Sequence, residues 1–273
     1  MLNEFEGTIL FVGAGKMGGA ILAGLLEEGV EPTQVTVQDP SPPEEIREFL
    51  SKYEIEAVTG VSEGFNPSIV ILCVKPQIMD KVLPGIAKVI NSNTVIISVA
   101  AGKKLSNFED ALGADKAIVR AMPNTPAEIG RAMTVLCANK NTSEENRETV
   151  GALMSAIGET AWTENEDDMD AVTALSGSGP AYIFWLTECM AQAGIKAGLS
   201  EDLAKQLARA TVSGAAELMR HSDLEPSRLR ENVTSPNGTT AAALEVLMAD
   251  NGLQPIMDNA IAAATKRSKE LSA

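Results

Sequence analysis

Residues 8–20, TILFVGAGKMGGA, decide the fold. An apolar, β-branched run leads directly into Gly13, Gly15 and Gly18, which have the spacing G-x-G-x-x-G. Where a strand turns into a helix, the first glycine permits the tight turn, the second lets the backbone approach a pyrophosphate, and the third lets the helix lie close to the strand. The phosphates would bind the N–H groups at the helix start, where the helix dipole is positive. The alternative is a glycine-rich packing turn without a ligand.

The rest of the first half repeats this alternation of strand and helix. Strands are predicted at residues 8–12, 35–38, 68–74, 94–100 and 117–122, in runs too continuously apolar for half-exposed strands. Helices are predicted to begin near Lys16, Glu44, Gln77 and Ser106, the last with a capping box formed by Ser106 and Glu109. This order predicts an α/β fold with a doubly wound Rossmann sheet, and it favours the dinucleotide interpretation of the glycine motif.

The strand signal ends in the second half. A strand at 132–139, a helix from Ser143 and a short strand near Ala161 precede the acidic stretch 163–170, and the pattern is helical from Asp170 onward. We therefore expect a nucleotide-binding domain at 1–165 and an all-α domain at 166–273. About a hundred residues make a marginal core, so the helices are expected to pair with a second subunit. A helical bundle packed on its own sheet domain is the alternative.

Composition limits the classes of partner. The formal charge of −15 and the pI near 4.6 argue against nucleic acid and against an anionic membrane surface. Cys73, Cys137 and Cys189 are odd in number and far apart, so we expect reduced core residues, with neither a disulfide framework nor a metal site. The first residues, MLNEFEG, lack the pattern of a signal peptide, and no apolar run is long enough to cross a bilayer. A soluble cytoplasmic protein is expected.

Three more segments belong to the expected nucleotide site. Asp39 ends the second strand about twenty residues after the glycine motif, where an acid binds the ribose diol of NAD and repels the extra phosphate of NADP. It is also a common first residue of a turn. The stretches 73–76, CVKP, and 99–102, VAAG, end strands at the ligand-binding edge of the sheet. Lys75 there is a candidate for a cofactor contact, although such lysines are often only solvated.

The sequence offers few groups that would donate a proton in hydride transfer to a ketone. The single histidine, His221, is predicted at a helix end, and neither tyrosine has a lysine four residues later. The cysteine and histidine ligands of a catalytic zinc are missing as well. A protonated imine avoids this requirement, because its carbon accepts hydride directly and leaves a neutral amine. Such a reaction depends more on orientation than on a strong acid.

Six motifs in order resemble the pyrroline-5-carboxylate reductase family. They are FVGAGKMG, VKPQ, SVAAG, RAMPNTPAEIG, DAVTALSGSGPAYIF and ENVTSPNGTTAAAL, and the likeness continues to the closing KRSKELS. The resemblance implies reduction of the cyclic imine 1-pyrroline-5-carboxylate to L-proline with NADPH or NADH, the last step of proline biosynthesis. It also implies a Rossmann domain followed by a helical dimerisation domain, and homodimers that assemble further into homodecamers.

The resemblance also implies roles for individual residues. The proposed substrate carboxylate would bind the neutral helix entrance, with Thr240 as the catalytic residue that meets the ring nitrogen. The substrate-binding residues would be Asn232, Ser235, Gly238, Thr239, Thr240 and, across the subunit interface, Glu166. The cofactor-binding residues would be Gly13, Ala14, Gly15, Lys16, Met17, Gly18, Val74, Lys75, Pro76, Ala100, Ala101, Gly102 and Asn124, together with Asp39.

Two positions depart from the family pattern. Asn237 replaces the first of two glycines after a proline, and asparagine tolerates the left-handed backbone that this turn needs. Asp39 stands where many NADPH-preferring members carry a small hydroxyl residue, so NADH or dual use is favoured.

Related imine or β-hydroxyacid reductases and a nucleotide-sensing protein without turnover are the alternatives. A β-hydroxyacid enzyme needs a lysine in its first interdomain helix, but none follows residues 176–182, SGSGPAY, before Lys196. That stretch is itself either a ligand contact or a structural kink.

Overall fold

The computed structural model describes residues 2–272 and contains one eight-stranded sheet. Its strands are β1 (Ile9–Val12), β2 (Val35–Gln38), β3 (Ala57–Val58), β4 (Ile69–Leu72), β5 (Val95–Ser98), β6 (Ala117–Met122), β7 (Ala132–Ala138) and β8 (Gly158–Trp162). The order across the sheet is β3-β2-β1-β4-β5-β6-β7-β8. Neighbouring strands are parallel except β6 and β7, which are antiparallel. The predicted doubly wound sheet is confirmed, whereas β3 and the reversed direction of β7 were not predicted.

Helices connect the strands and then form the rest of the chain. They are α1 (Lys16–Glu27), α2 (Glu44–Lys52), α3 (Pro76–Ile86), α4 (Leu105–Leu112), α5 (Glu144–Ser155), α6 (Asp168–Val172), α7 (Gly179–Lys196), α8 (Glu201–Arg220), α9 (Pro226–Asn232), α10 (Thr239–Leu247) and α11 (Leu253–Ser272). A π-helical turn, Thr173–Gly177, lies between α6 and α7. The chain divides into two compact units: one runs to Gly177 and includes the chain from Ala264, and the other is Ser178–Ala263.

The sheet of the first unit is covered on both faces. Along β1 the side chains alternate, so Ile9 and Phe11 enter one core cluster and Leu10 and Val12 enter the other. The first cluster includes residues of α1 and α5, and the second includes residues of α3 and α4. All four of these β1 side chains are at most 1% exposed. Burial on both faces explains why the strands are continuously apolar.

The predicted capping box at the start of α4 is wrong. The helix begins at Leu105, so Ser106 lies inside the first turn. Asn107 takes the capping role instead, because its Oδ1 accepts a hydrogen bond of 2.8 Å from the backbone N–H of Lys104. Glu109 accepts a 2.9 Å bond from the Asn139 amide. A long-range partner therefore replaces the local one that the sequence pattern favoured.

The second unit is helical, and small residues bring α7 and α8 together. A Cβ added to Gly194 would lie 3.2 Å from Cβ of Ala204, and Ala204 is only 3% exposed. A larger residue at either position would separate the two helices. Outside this contact the unit leaves much apolar surface exposed; Phe184 and Trp185 of α7 are 63% and 65% exposed. Exposed aromatic side chains in such number indicate a surface that binds another protein chain.

Candidate active site

The glycine loop after β1 has the geometry that a bound pyrophosphate requires. Gly13 has φ +91°, and a Cβ there would lie 2.8 Å from Val74 Cγ1. A Cβ on Gly18 would lie 2.6 Å from the Gly13 carbonyl oxygen, so only glycine allows α1 to start this close to the strand. At Gly15 an added Cβ would meet open space, and no side chain caps the helix that begins at Lys16. Backbone N–H groups at this entrance thus remain for an anion, and the residues fit a dinucleotide.

The Asp39 carboxylate lies against this glycine loop. Its Oδ2 accepts a 2.8 Å hydrogen bond from the N–H of Ala14, and its Oδ1 accepts a 2.9 Å bond from the N–H of Ser41. The second bond is the turn interaction that the sequence allowed. The first places an anionic group beside the segment proposed to bind the cofactor phosphates. Asp39 therefore has the position required for a ribose contact and also stabilises its own turn.

Two further loops lie at the same edge of the sheet. Strands β1, β4 and β5 are parallel neighbours, so the segments that follow them leave the sheet on the same side. Val74, Lys75 and Pro76 follow β4, with Lys75 exposed and Pro76 as the first residue of α3. The loop Ala100–Gly102 follows β5, and Gly102 has φ +75°. The predicted cofactor segments are thus brought together at the carboxyl edge.

Cys73 packs under the glycine loop and is not a nucleophile. A Cβ on Gly18 would lie 3.1 Å from Cys73 Cβ, and burial raises the pKa of this thiol to about 12. A thiol with that pKa remains protonated at neutral pH. Cys137 is buried, and burial raises its pKa as well. Both are unpaired and have a packing role, whereas Cys189 is exposed on α7, so the prediction of a core residue was wrong there.

The Asn124 side chain joins the loop after β6 to the π-helical turn. Its Oδ1 accepts a 3.0 Å bond from the N–H of Met133, and its Nδ2 donates to the Ser176 carbonyl oxygen at 3.2 Å. A Cβ on Gly177 would lie 2.4 Å from Met122 Cε, so the turn and the loop are in close contact. Ser176 and Gly177 of SGSGPAY therefore have a structural role, and π-helical turns are common at functional sites.

Glu166 makes an ion pair that the sequence did not reveal. Its Oε1 lies 2.6 Å from Arg120 Nη1 of β6 and accepts a 2.7 Å bond from the N–H of Leu105 at the start of α4. The Arg120 side chain is only 9% exposed. Charged residues are rarely buried without a partner, so the arginine inside the apolar run AIVRAM was the available signal.

The hydroxyl-rich helix entrance lies in the second unit. Asn237 has φ +60°, the left-handed conformation expected of it, and Gly238 is the N-cap of α10. A Cβ on Gly238 would lie 2.5 Å from Ser235 Oγ, so that hydroxyl stands directly beside the helix start. No side chain caps α10, whose first two residues are Thr239 and the half-buried Thr240. Asn232 is the last residue of α9 and is exposed.

Within residues 2–272, no three His, Cys, Asp or Glu side chains are arranged to hold a metal ion. The His221 ring lies at the end of α8, with Nε2 2.9 Å from Glu217 Oε1. A search of the same residues for a helix long and apolar enough to cross a membrane finds none.

Comparison with known proteins gives matches along nearly the whole chain. The family model for pyrroline-5-carboxylate reductase dimerisation matches residues 166–271, and the model for coenzyme F420-dependent NADP oxidoreductase matches residues 8–102. Pyrroline-5-carboxylate reductase of Pseudomonas aeruginosa is 40% identical over 265 residues, 97% of this chain and 96% of that protein. The soybean (Glycine max) enzyme of that name is 36% identical, with 97% and 96% covered.

Solved structures agree with the sequence matches. A pyrroline-5-carboxylate reductase from Coxiella burnetii superposes with a TM-score of 0.90 at 33% identity, covering 98% of this chain and 99% of the other. The enzyme from Plasmodium falciparum, with NADP bound, has a TM-score of 0.80 at 29% identity and the same coverage. Together with the glycine loop, these matches define a nucleotide-dependent oxidoreductase. The chain belongs to the pyrroline-5-carboxylate reductase family.

Proposed function

We propose that this protein reduces 1-pyrroline-5-carboxylate to L-proline, the last step of proline biosynthesis, with NADPH or NADH as the hydride donor. The observation that carries the proposal is the start of α10, an uncapped helix entrance with Ser235, Gly238, Thr239 and Thr240 around it. Backbone N–H groups and hydroxyls at a helix N-terminus bind a carboxylate without a cation. Such an entrance suits a small anionic substrate in a chain whose net charge is −15.

Thr240 is proposed as the catalytic residue. The N–H groups of Thr239 and Thr240, with Ser235 Oγ, would hold the substrate carboxylate, and Asn232 would lie beside it. The Gly238 N–H donates a 3.0 Å bond to the Ser235 carbonyl oxygen, so Gly238 would shape the entrance and let the carboxylate approach. Thr240 Oγ would then form a hydrogen bond with the ring nitrogen and orient the protonated imine. Hydride addition to the imine carbon moves the electron pair of the C=N bond to nitrogen and leaves a neutral amine. The hydroxyl therefore needs to orient the nitrogen, and no strong acid is required.

When bound, the reduced nicotinamide cofactor supplies the hydride. The proposed contacts of this chain are the glycine loop from Gly13 to Gly18, with Ala14, Lys16 and Met17, and the segments Val74–Pro76 and Ala100–Gly102. Support comes from their common position at the carboxyl edge of the sheet and from the open space above Gly15. Asp39 and Asn124 complete the proposed cofactor site. The Plasmodium falciparum relative was solved with NADP bound.

We also propose a domain division at 1–165 and 166–273, homodimers that assemble into a homodecamer, and a cytoplasmic location. The exposed aromatic residues of α7 and the dimerisation family match at 166–271 support the dimer. The unpaired cysteines support a reducing compartment. Glu166 Oε1 is bonded to Arg120 and to Leu105, so Glu166 would contact the substrate across the subunit interface through Oε2.

The test is a spectrophotometric assay with purified protein and 1-pyrroline-5-carboxylate. NADH and NADPH are supplied in separate reactions, and consumption is followed by absorbance. Turnover with either cofactor, with L-proline as the product, is expected. Binding of the cofactor without turnover would favour the nucleotide-sensing alternative, and turnover with a β-hydroxyacid alone would favour the rival reductase.

A further inference from the structure

Within the first unit, the last turns of α11 make a polar contact with α6. Ser268 is the buried residue of this helix, 7% exposed, and its Oγ donates a 2.5 Å hydrogen bond to Asp170 Oδ1 on α6. Ser272 Oγ lies 3.4 Å from the same carboxylate oxygen. A buried hydroxyl is unfavourable unless it is hydrogen-bonded, and bonds to charged groups are among the stronger ones. The pair therefore fixes the last turns of α11 at a defined place.

The side chains next to this contact are exposed. Leu271, a large apolar residue in the last turn, is 63% exposed, and Lys269 and Glu270 are exposed as well. The hydroxyl–carboxylate bond and the backbone of the last turn are two contacts that place the end of α11 in the first unit. Such an arrangement defines position more than it adds apolar stability.

The backbone of that last turn touches the loop after β5. Gly102 has φ +75°, and a Cβ there would lie 3.1 Å from the carbonyl oxygen of Leu271. The loop Ala100–Gly102 is thus bordered on one side by the end of α11. Asp170, which holds the helix, stands three residues before the π-helical turn Thr173–Gly177 that Asn124 fixes. The last turn of α11 therefore touches the loop Ala100–Gly102 and is bonded, through Asp170, to the helix that leads into the π-helical turn.

We propose that the Asp170–Ser268 bond positions the end of α11 so that it holds the loop Ala100–Gly102 in the conformation that binds the nicotinamide cofactor. Ser268 and Asp170 are positioning residues, because they act through Leu271 and Gly102 and touch neither substrate nor cofactor. The inference rests on the proposed function, in which Ala100–Gly102 contacts the cofactor. When the bond is lost, the loop samples other conformations. The apparent Kd for the cofactor then rises in inverse proportion to the fraction of molecules whose loop is in the binding conformation.

The direct test is Ser268→Ala in the full-length protein. The dissociation constant for NADH is measured by titration of its fluorescence, and KM and kcat are measured at varied NADH and varied 1-pyrroline-5-carboxylate. We expect the Kd and KM for NADH to rise roughly five- to tenfold, which is less than the full net contribution of one hydrogen bond to a charged group, because the bond acts on the loop indirectly. The kcat and the KM for 1-pyrroline-5-carboxylate should stay within about twofold, because the helix entrance of α10 is unchanged.

Companion variants separate positioning from general stability. Lys269→Ala alters the adjacent exposed residue and should leave all constants unchanged. Ser268→Cys keeps the size of the side chain with a weaker donor and should give an intermediate Kd. Deletion of residues 271–273 removes the contact with Gly102 and should raise the Kd as Ser268→Ala does. Asp170→Ala should not add to Ser268→Ala in the double variant, because both remove one bond.

Two results would overturn the inference. One is an unchanged Kd for NADH in Ser268→Ala and in the deletion, whatever happens to their melting temperature. The other is a fall in kcat in these variants with no change in either KM, which is what a smaller folded fraction produces. Failure of the proposed function is recognised separately: wild-type protein would then bind NADH without reducing 1-pyrroline-5-carboxylate, and the Kd comparison would still decide the role of Ser268.

Discussion

At the scale of single residues, the helix entrance depends on Thr240. Replacing Thr240 by Ala removes the hydroxyl proposed to meet the ring nitrogen but leaves the backbone N–H groups of α10 in place. We expect kcat to fall by about 100-fold, in the range found when a positioned proton-transferring or hydrogen-bonding group is lost. The Kd for NADH should stay within about twofold, and Thr240→Ser should restore most of the turnover. A parallel loss of NADH binding would show that the entrance serves the nucleotide.

The second prediction at this scale concerns cofactor preference. Asp39→Ser removes a carboxylate that would repel the 2′-phosphate of NADPH, so the ratio of kcat/KM for NADPH to that for NADH should rise at least about tenfold. The carboxylate also accepts bonds from Ala14 and Ser41, so Asp39→Asn serves as the matched variant, which keeps an acceptor without the charge. It should shift the ratio in the same direction. An unchanged ratio in both variants would assign Asp39 to the turn alone.

At the scale of elements, Glu166 links α4 to β6 by bonding both Leu105 N–H and Arg120. Glu166→Ala leaves a buried guanidinium without its partner, and we expect the free energy of unfolding to fall by about 3 kcal/mol. The control is Glu164→Ala, which breaks an ion pair with Arg147. The Glu164 side chain is 78% exposed. Its effect should be much smaller. Urea denaturation at one fixed protein concentration measures both; equal losses would contradict the assignment.

Elements were predictable where a local pattern determines them. Continuous apolar runs predict the strands β1, β2, β4, β5 and β6, and the glycine spacing at residues 13–18 predicts the start of α1. Both patterns lie within a few consecutive residues. The short strand β3, two residues long, has no such pattern. Likewise, β7 gives the same apolar signal in either direction, because its orientation depends on how β6 and β7 are connected. Direction and sheet order are tertiary properties.

The candidate site was predictable to a similar extent. The glycine loop and the segments at the strand ends follow from their place after apolar runs, and the structure brings them to one edge. The bonds of Glu166 to Arg120, of Asn124 to Ser176 and of Asp170 to Ser268 join residues 46, 52 and 98 positions apart. No local spacing encodes such pairs. Of these pairs, only the first had a signal in the sequence: a charged Arg120 inside an apolar run indicates a buried ion pair with an acidic residue.

At the scale of the whole molecule, the helical unit requires a partner. Ile183, Phe184, Trp185 and Leu186 are consecutive in α7, and each is at least 40% exposed. Four successive positions cover more than one face of a helix, so a partner chain must contact α7 from more than one side to cover them. A large apolar surface of this kind is stable in water when a second copy covers it, which agrees with the match to the dimerisation family.

Trp185→Glu is the last prediction, because it places a charge in the middle of that surface. Trp185 is 65% exposed in the single chain, and the second subunit would cover its indole. In the variant the subunits would have to bury a carboxylate there, so we expect the dimer dissociation constant to rise at least about 100-fold. Ser92→Glu, at an exposed position in the loop before β5, adds the same charge outside the helical unit and should leave assembly unchanged. Sedimentation velocity at micromolar concentration measures both and also reveals a decamer. If Trp185→Glu sediments like the wild type, α7 does not form the subunit interface.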